Sequence, residues 1–441
     1  MSLHHSIIAA LLQPYAHQPT FAQALTEWLE SVVPYLVARG ASADDFARLG
    51  RLLVPERIIT FKVLWEDEAH QLQCNIGYRI QYNSALGPYK GGLRFDPTVN
   101  EDVLKFLGFE QIFKNALTGL PLGAGKGGSD FNPKGKSEAE IRRFCRAFMT
   151  QLYTHIGIDV DVPAGDMGVG GREIGYLMGM YKELTHRHEG VLTGKDPAIS
   201  GSVGRTEATG HGVVYFAAAM LRAGGRQLAG LRTVVSGTGN VAEHTARKLV
   251  EEGAVVLTLS DRSGYVYAPQ GLTMEQIDLI MAHKDSGQTL ATYVHPDVTF
   301  QGGTPWKTVI ADGYFPCATQ NEVTKQDAEI MATHATLVVE GANMPLTNEA
   351  IKVLADAKIP HAPGKASNAG GVAVSGLEMV QNASHYPWTR DRVEAELQTI
   401  METIHATVAT DGKTEWEIDY VRGANIAGAK RVFLAMEKLG W

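Results

Sequence analysis

Along FAQALTEWLESVVPYLVAR, residues 21–39, apolar side chains recur at helical spacing, which predicts an amphipathic helix interrupted or bent near Pro34. From Arg57 the period shortens. RIITFKVLWEDEAHQLQCNIGYRIQYN holds two β-rich runs around a polar turn from Glu66 to His70, the pattern of a hairpin or meander. The next segment, GPYKGGLRFDP, reads as a loop by its glycines and prolines. NEDVLKFLGFEQIFKNALTG, from Asn100, has a capping residue, acids in its first turn, helical apolar spacing and a terminal Gly119, and so predicts a helix. Gln111 and Lys114 lie three apart on it and share a face. SEAEIRRFCRAFMTQLYTHIG, from Ser137, predicts a second such helix, followed by the apolar and acidic IDVDVPAGDMGVGGREI.

Near residues 190–212 the composition shifts to Gly, Ser and Thr (TGKDPAISGSVGRTEATGHG), as at a crossing between domains. Beyond it, LRTVVSGTGNVAEHTARKLVEEGAVVLTLSD gives strand, glycine turn, helix and strand, a βαβ unit. Strand-like runs such as ATLVVEG, ending at Gly341, and KIPHAPG, ending at Gly364, then alternate with helical ones. That alternation predicts an α/β chain with a doubly wound parallel sheet in its second half.

At 441 residues, 44% hydrophobic and 20% charged, the chain buries a large core and divides into two or three domains. Its net charge of −8 argues against a general nucleic-acid or membrane-surface binder, which needs a positive field, so a small-molecule ligand is expected. Cys74, Cys145 and Cys317 stand far apart without a CxxC pair, which indicates neither a disulfide framework nor a cysteine zinc site. The start, MSLHHSIIAALLQPY, lacks the basic residues and cleavage pattern of an export signal, and no apolar run reaches the roughly 18 residues of a membrane span. A cytoplasmic location is the expectation. The fifteen histidines show no HExxH-type spacing, so no metal is expected.

Three constellations carry chemistry. In SGTGNVA, Gly237, Gly239 and Ala242 make a GxGxxA turn between strand and helix, where free N–H groups and the positive helix end hold a pyrophosphate. Asp261 closes the following strand where a ribose-binding acid is expected, while Arg262 and Lys284 offer cations for the additional phosphate of NADP. The second set is Lys90 in GPYKGG, Lys114 in EQIFK and Lys126 in GAGKGG, which its glycines mark as a loop. GAGKGG is not a nucleotide P-loop: Leu120 stands where the first glycine belongs, and Gly127 follows the lysine in place of Ser or Thr. Convergence of mutually repelling ammonium groups would instead lower one lysine's pKa toward neutrality and leave the others for a dianion. Third, Asp166 in PAGDMGVGGREI sits in a run of glycines, as either an exposed turn acid or a carboxylate that shuttles protons beside Lys126.

The segments YNSALGPYKGGLRF, GFEQIFKNALTGLPLGAGKGGSDFNPKGKS, DVPAGDMGVGGREIGYL, EATGHGVVYF, PCATQNE, VEGANMP and NAGGVAVSGLEMVQN together resemble the bacterial-type glutamate dehydrogenases over nearly the whole chain. The resemblance implies an α/β fold of two domains separated by a cleft that closes on substrate. Residues 1–198, with a C-terminal return from about 415 to 441, would form the substrate-binding and oligomerisation domain, and residues 199–414 the Rossmann domain. It implies reversible oxidative deamination of glutamate to 2-oxoglutarate and ammonia, in a homohexamer. Lys126 and Asp166 would be catalytic. Lys90 and Ser375 would meet the side-chain carboxylate, Gln111 and Lys114 the α-carboxylate, and Gly165 the substrate. Thr209, Asn240 and Asn343 would line the cofactor site. Ser260-Asp261-Arg262 with Lys284 resembles the family's NADP forms, so NADP is favoured over NAD. Ser200 departs from the family pattern, which often has glycine there. Two alternatives are a leucine- or phenylalanine-type dehydrogenase, which would bury Lys90 against a hydrocarbon chain, and a catalytically idle nucleotide-binding homologue.

Overall fold

The computed structural model describes residues 3–415 and 417–441; Met1 and Ser2, the start of the segment read for an export signal, and Trp416, in the expected C-terminal return, lie outside them. The chain divides into two units. Unit 1 comprises residues up to Val203 with Val374–Val393 and Asn425–Trp441, and unit 2 comprises Gly204–Ala373 with Glu394–Ala424.

Unit 1 begins with helices α1 (Leu3–Leu12), α2 (Pro19–Ala38) and α3 (Ala43–Leu52), then strands β1 (Arg57–Glu66), β2 (Leu72–Asn83) and β3 (Tyr89–Phe95). It continues with α4 (Glu101–Leu117), β4 (Ala124–Ser129), α5 (Glu138–Leu152), β5 (Asp161–Gly165) and α6 (Gly171–Thr185). Of the interruption or bend expected near Pro34, the interruption does not occur: α2 runs through the proline. Proline frees the carbonyl one turn earlier, that of Glu30, which is exposed and open to water, while Trp28, Leu29, Val32, Val33 and Leu36 keep the buried face. Trp28 stacks on Phe113 of α4 at 4.7 Å between ring centres, which seats α4 in the core. The Asn100 side chain caps α4 at 3.0 Å from the Val103 amide, and a Ser137/Glu140 capping box starts α5.

The strand order is β1-β2-β4-β3-β5, with β1, β2 and β4 antiparallel in turn and β3 parallel to both β4 and β5. GPYKGG and GAGKGG, both read as loops, therefore contain central strands. Their glycines are required by crowding: a Cβ on Gly91 would lie 1.7 Å from the Gly125 carbonyl oxygen. Gly128 takes φ +150°, and a Cβ there would lie 2.0 Å from the Arg94 carbonyl oxygen.

Unit 2 is built on α7 (Ala208–Ala223), β6 (Arg232–Val235), α8 (Asn240–Glu251), β7 (Val255–Asp261), β8 (Gly264–Tyr267), α9 (Met274–Asp285), β9 (Thr299–Gln301) and β10 (Gly313–Phe315). It continues through α10 (Lys325–Met331), β11 (Leu337–Val339), α11 (Asn348–Asp356), β12 (His361–Ala362) and α12 (Gly364–Ser367). The sheet order is β12-β11-β10-β6-β7-β8-β9. Strands β12 to β7 in that order are parallel, the doubly wound core, whereas β8 and β9 extend it antiparallel. The wholly parallel sheet expected from the alternation is altered at this edge because Arg262 and Ser263 alone join β7 to β8, a turn that only antiparallel neighbours can use.

Three last helices, α13 (Gly370–Ser384), α14 (Arg390–Gly412) and α15 (Tyr420–Leu439), carry the chain from one unit to the other. The boundaries differ from the expected 198/199 and 414/415: Val374–Val393 belongs to unit 1, and the last return begins at Asn425. Charge pairing explains the first excursion. Glu378 of α13 is fully buried, bonds Lys195 Nζ at 2.6 Å and accepts the Gly194 amide at 2.9 Å. Ser200 takes φ +69°, a conformation that glycine adopts more easily. Its carbonyl accepts from Asn382 at 2.8 Å and its hydroxyl lies 3.1 Å from His188 Nε2, which hold it there. Among the described residues no helix is long and apolar enough to cross a membrane, and no cluster of His, Cys, Asp or Glu could hold a metal.

Candidate active site

The unit 1 sheet sets Lys90 on β3 and Lys126 on the adjacent β4, both more than nine-tenths buried. Helix α4 crosses the root of Lys126: a Cβ on Gly108 would lie 3.6 Å from Lys126 Cβ. The same helix presents Gln111 and Lys114, both half-buried. Strand β5 ends at Gly165, which pairs with Leu93 of β3, and the chain then turns at Asp166.

Lys126 Nζ lies 2.9 Å from Asp166 Oδ2, and Arg94 Nε donates to that same oxygen at 3.0 Å. Burial pushes the Asp166 carboxyl up, but Lys126 and Arg94 outweigh it and hold the group well below the usual carboxylate range. Burial lowers the Lys126 pKa; Asp166 opposes the fall, and Arg94 and Arg79 add to it. The depression expected from lysine–lysine repulsion therefore has a different origin: burial first, with two arginines as the positive neighbours. Arg79 is itself fully buried under the sheet, where its guanidinium grips Asp161 through both oxygens and donates to the Gly91 carbonyl at 3.2 Å. This clamp ties β2 to β5 across the two strands that carry the lysines.

Ser375 of α13 is buried. Its neighbour Gly376 packs on the approach to β4, where an added Cβ would meet Leu120 Cδ1 at 2.5 Å.

In unit 2, Gly237 takes φ +91° and donates its N–H to Ser260 Oγ at 2.8 Å, turning the chain from β6 into α8. Gly239 is the N-cap, a Cβ on it would meet nothing within 4 Å, and Ala242 is buried beneath. This open helix N-terminus, with its unused N–H groups, fits a pyrophosphate. Asn240 donates to the Thr206 carbonyl at 2.7 Å, and Thr209 faces Gly371, where a Cβ would lie 2.5 Å from Thr209 Oγ1.

Asp261 has no free acceptor: one oxygen takes the Ser263 amide and hydroxyl at 2.8 and 2.5 Å, the other Lys284 Nζ and the Leu290 amide at 2.6 and 3.0 Å. Burial raises its carboxyl, yet the Lys284 and Ser263 bonds prevail and bring it down to about 2. In this arrangement Asp261 organises the β7–β8 loop and fixes Lys284. Arg262, on the turn, is exposed. A fixed lysine and an exposed arginine suit a phosphate.

Sequence reasoning missed several members of these sites. Arg79 and Asp161 pair over 82 residues of chain; the available signal was a charged residue at an inward position of an apolar strand. Arg94 was passed over beside the lysines. Asn368 donates to the carbonyls of Gly341 and Ala342 at 3.1 and 3.2 Å and to Asn343 Oδ1 at 3.0 Å, while its own Oδ1 is buried without a partner. It orients Asn343, one of the expected cofactor residues.

Residues 200–440 match the Glutamate/Leucine/Phenylalanine/Valine dehydrogenase family, and residues 55–183 match the dimerisation domain of Glu/Leu/Phe/Val dehydrogenases. The chain is 50% identical to an NADP-specific glutamate dehydrogenase of Psychrobacter sp. (strain TAD1), covering 97% of this chain and 96% of that protein. It is 47% identical to an NAD(P)-specific glutamate dehydrogenase of Xylanibacter ruminicola, covering 98% of each. Among solved structures, Plasmodium falciparum glutamate dehydrogenase superposes with TM-score 0.96 at 44% identity, covering 99% of this chain and 94% of that one. A leucine-bound hetero-hexameric glutamate dehydrogenase from Thermus thermophilus gives TM-score 0.82 at 28% identity, covering 90% and 92%.

Proposed function

The chain belongs to the glutamate/leucine/phenylalanine/valine dehydrogenase family, and from that premise we propose that it interconverts L-glutamate with 2-oxoglutarate and ammonia, using NADP in preference to NAD. The observation that carries the reading is the Lys126–Asp166 pair, 2.9 Å apart on the sheet beside buried Lys90. It joins a lysine of lowered proton affinity to a carboxylate held well below its usual range, the equipment for moving a proton at the carbon that bears nitrogen.

In this reading Lys90 and Ser375 receive the side-chain carboxylate of the substrate, and Gln111 and Lys114 receive the α-carboxylate. The Lys126 ammonium protonates the ketone oxygen of 2-oxoglutarate as ammonia adds; the proton then lost by the added nitrogen returns to Lys126, which gives it to the hydroxyl that departs as water and leaves the iminium. Asp166 accepts from ammonia and relays the proton that the nitrogen loses to Lys126, 2.9 Å away, with Gly165 bringing the backbone close to the substrate. In the reverse direction neutral Lys126 takes the proton from the attacking water. NADP, when bound, supplies or receives the hydride. Gly237, Gly239 and Ala242 would hold its pyrophosphate; Thr209 and Asn240 its nicotinamide end; Asn343 would line the cofactor site; Arg262 and Lys284 would meet its 2′-phosphate, with Asp261 fixing Lys284.

Selection of glutamate over leucine rests on Lys90, since a leucine side chain brings no charge to meet a buried ammonium. An oligomer is part of the proposal, with a homohexamer as its form. β1 is the edge strand, and its outward face with β2 exposes Ile58, Leu64, Leu72 and Ile76, an apolar patch that a subunit contact would cover. The purified chain should consume NADPH faster than NADH at equal concentration with 2-oxoglutarate and ammonium. With NADP as oxidant it should act on glutamate and not on leucine. Leucine turnover exceeding that of glutamate, or no turnover of either, would overturn the reading, as a monomer in light scattering would overturn the oligomer.

A further inference from the structure

Asn115 sits in the last turn of α4, one turn beyond Gln111, and is fully buried. Its amide nitrogen lies 3.0 Å from the Lys90 carbonyl oxygen and 2.5 Å from that of Gly123. Carbonyl oxygens only accept, so this atom must be the nitrogen, and both of its hydrogens are engaged. The other amide atom, Oδ1, is therefore an acceptor, and it lies 2.7 Å from Gln111 Nε2. The chemistry of two backbone carbonyls thus dictates the orientation of a side chain one turn away.

We propose that Asn115 is a positioning residue that fixes the polarity of the Gln111 amide toward an α-amino acid. This rests on the assignment of Gln111 to the substrate made above. With one N–H committed to Asn115, Gln111 retains a single N–H and its carbonyl oxygen, and neither meets a protein group among the described residues. One donor beside one acceptor is the complement of an α-amino acid, whose carboxylate accepts and whose ammonium donates. A terminal amide torsion is roughly two-fold, so without Asn115 nothing holds the Gln111 amide in the pattern that matches the substrate. A 2-oxo acid has a carboxylate but no ammonium and uses only the N–H. Glutamate is therefore the more sensitive of the two substrates.

The test is steady-state kinetics of Asn115→Ala, Gln111→Ala and the double variant in the otherwise intact chain. Asn115→Ala should raise the KM for glutamate about tenfold, the loss of roughly one well-oriented hydrogen bond. The rise for 2-oxoglutarate should be smaller, with kcat and the KM for NADPH little changed. On the Gln111→Ala background the same substitution should add less than about twofold, because its effect runs through Gln111. A rise equal in both backgrounds, or equal for both substrates, would mean that Asn115 only packs the helix and would overturn the proposal, as would an unchanged KM. If Asn115→Ala does not fold, Asn115→Ser, which keeps a small polar group, is held to the same criteria. Wild-type protein without glutamate activity would remove the functional reading itself; an active wild type with an unaltered variant removes only the role of Asn115.

Discussion

Replacing Asp166 by asparagine keeps the shape of the side chain and removes its charge. Unit charges 2.9 Å apart interact by about 6 kcal/mol at an effective dielectric near 20. Asp166 retains 22% exposure, so solvent reduces that figure, and a coupling of about 2–3 kcal/mol is the reasonable expectation. The sign follows from the charges. The carboxylate stabilises the Lys126 ammonium, so its loss leaves Lys126, already lowered by burial and facing Arg94, with still less affinity for a proton. In the proposed mechanism glutamate oxidation needs neutral Lys126, so the acid limb of its pH profile should move to lower pH. Amination of 2-oxoglutarate needs the ammonium, and its activity should fail at lower pH than in the wild type. Turnover in both directions should fall roughly 10²–10⁴-fold, since a positioned proton-transfer partner has been lost. The assay is initial rate in both directions from neutral to alkaline pH, with circular dichroism to verify folding. Limbs that stay in place with turnover within a few-fold of wild type would refute the coupling of Asp166 to Lys126.

Further outcomes follow from the same contacts. The Asp166 pKa is depressed in the folded chain, so its stability contribution is present above the unfolded carboxyl value of about 3.9 and is lost as pH falls through and below it. The melting-temperature difference between wild type and Asp166→Asn should accordingly shrink on acidification, and a constant gap would contradict the linkage. Arg262→Ala should raise the KM for NADPH about tenfold, one charge-assisted phosphate contact, and leave that for NADH nearly unchanged; equal effects on both would remove Arg262 from the 2′-phosphate site. Glu378→Gln should destabilise unit 1 by about 3–5 kcal/mol in denaturant titration, because it leaves the fully buried Lys195 without its counter-charge. A loss below about 1 kcal/mol would show the pair to be dispensable.

Local signals mark the elements whose causes are local. Asn100, Ser137 and the turn from Glu66 to His70 act on neighbouring backbone, and α4, α5 and the β1–β2 hairpin follow from them. GPYKGG and GAGKGG misled because a glycine run reads as a loop, whereas here it is the carbonyls of adjacent strands that exclude a side chain, a cause located some 34 residues away for Gly91 and Gly125. Arg79 with Asp161 and Lys195 with Glu378 pair over 82 and 183 residues, and nothing in either local pattern names its partner. Lys126 stood out by its glycine setting, but not the origin of its lowered pKa, since burial and the arginines beneath and beside it appear only once the strands are ordered. Asn115 escaped notice because an asparagine inside a helix is ordinary until its three partners are in place.

In the proposed mechanism Lys126 performs the proton work at the substrate carbon. The most direct measurement is the rate of NADPH-dependent glutamate formation from 2-oxoglutarate and ammonium by a folded Lys126→Met variant, whose side chain preserves the buried volume without the charge. A fall of roughly 10²–10⁴-fold in a variant that still unfolds in one cooperative transition is the predicted result; turnover within a few-fold of wild type would contradict it.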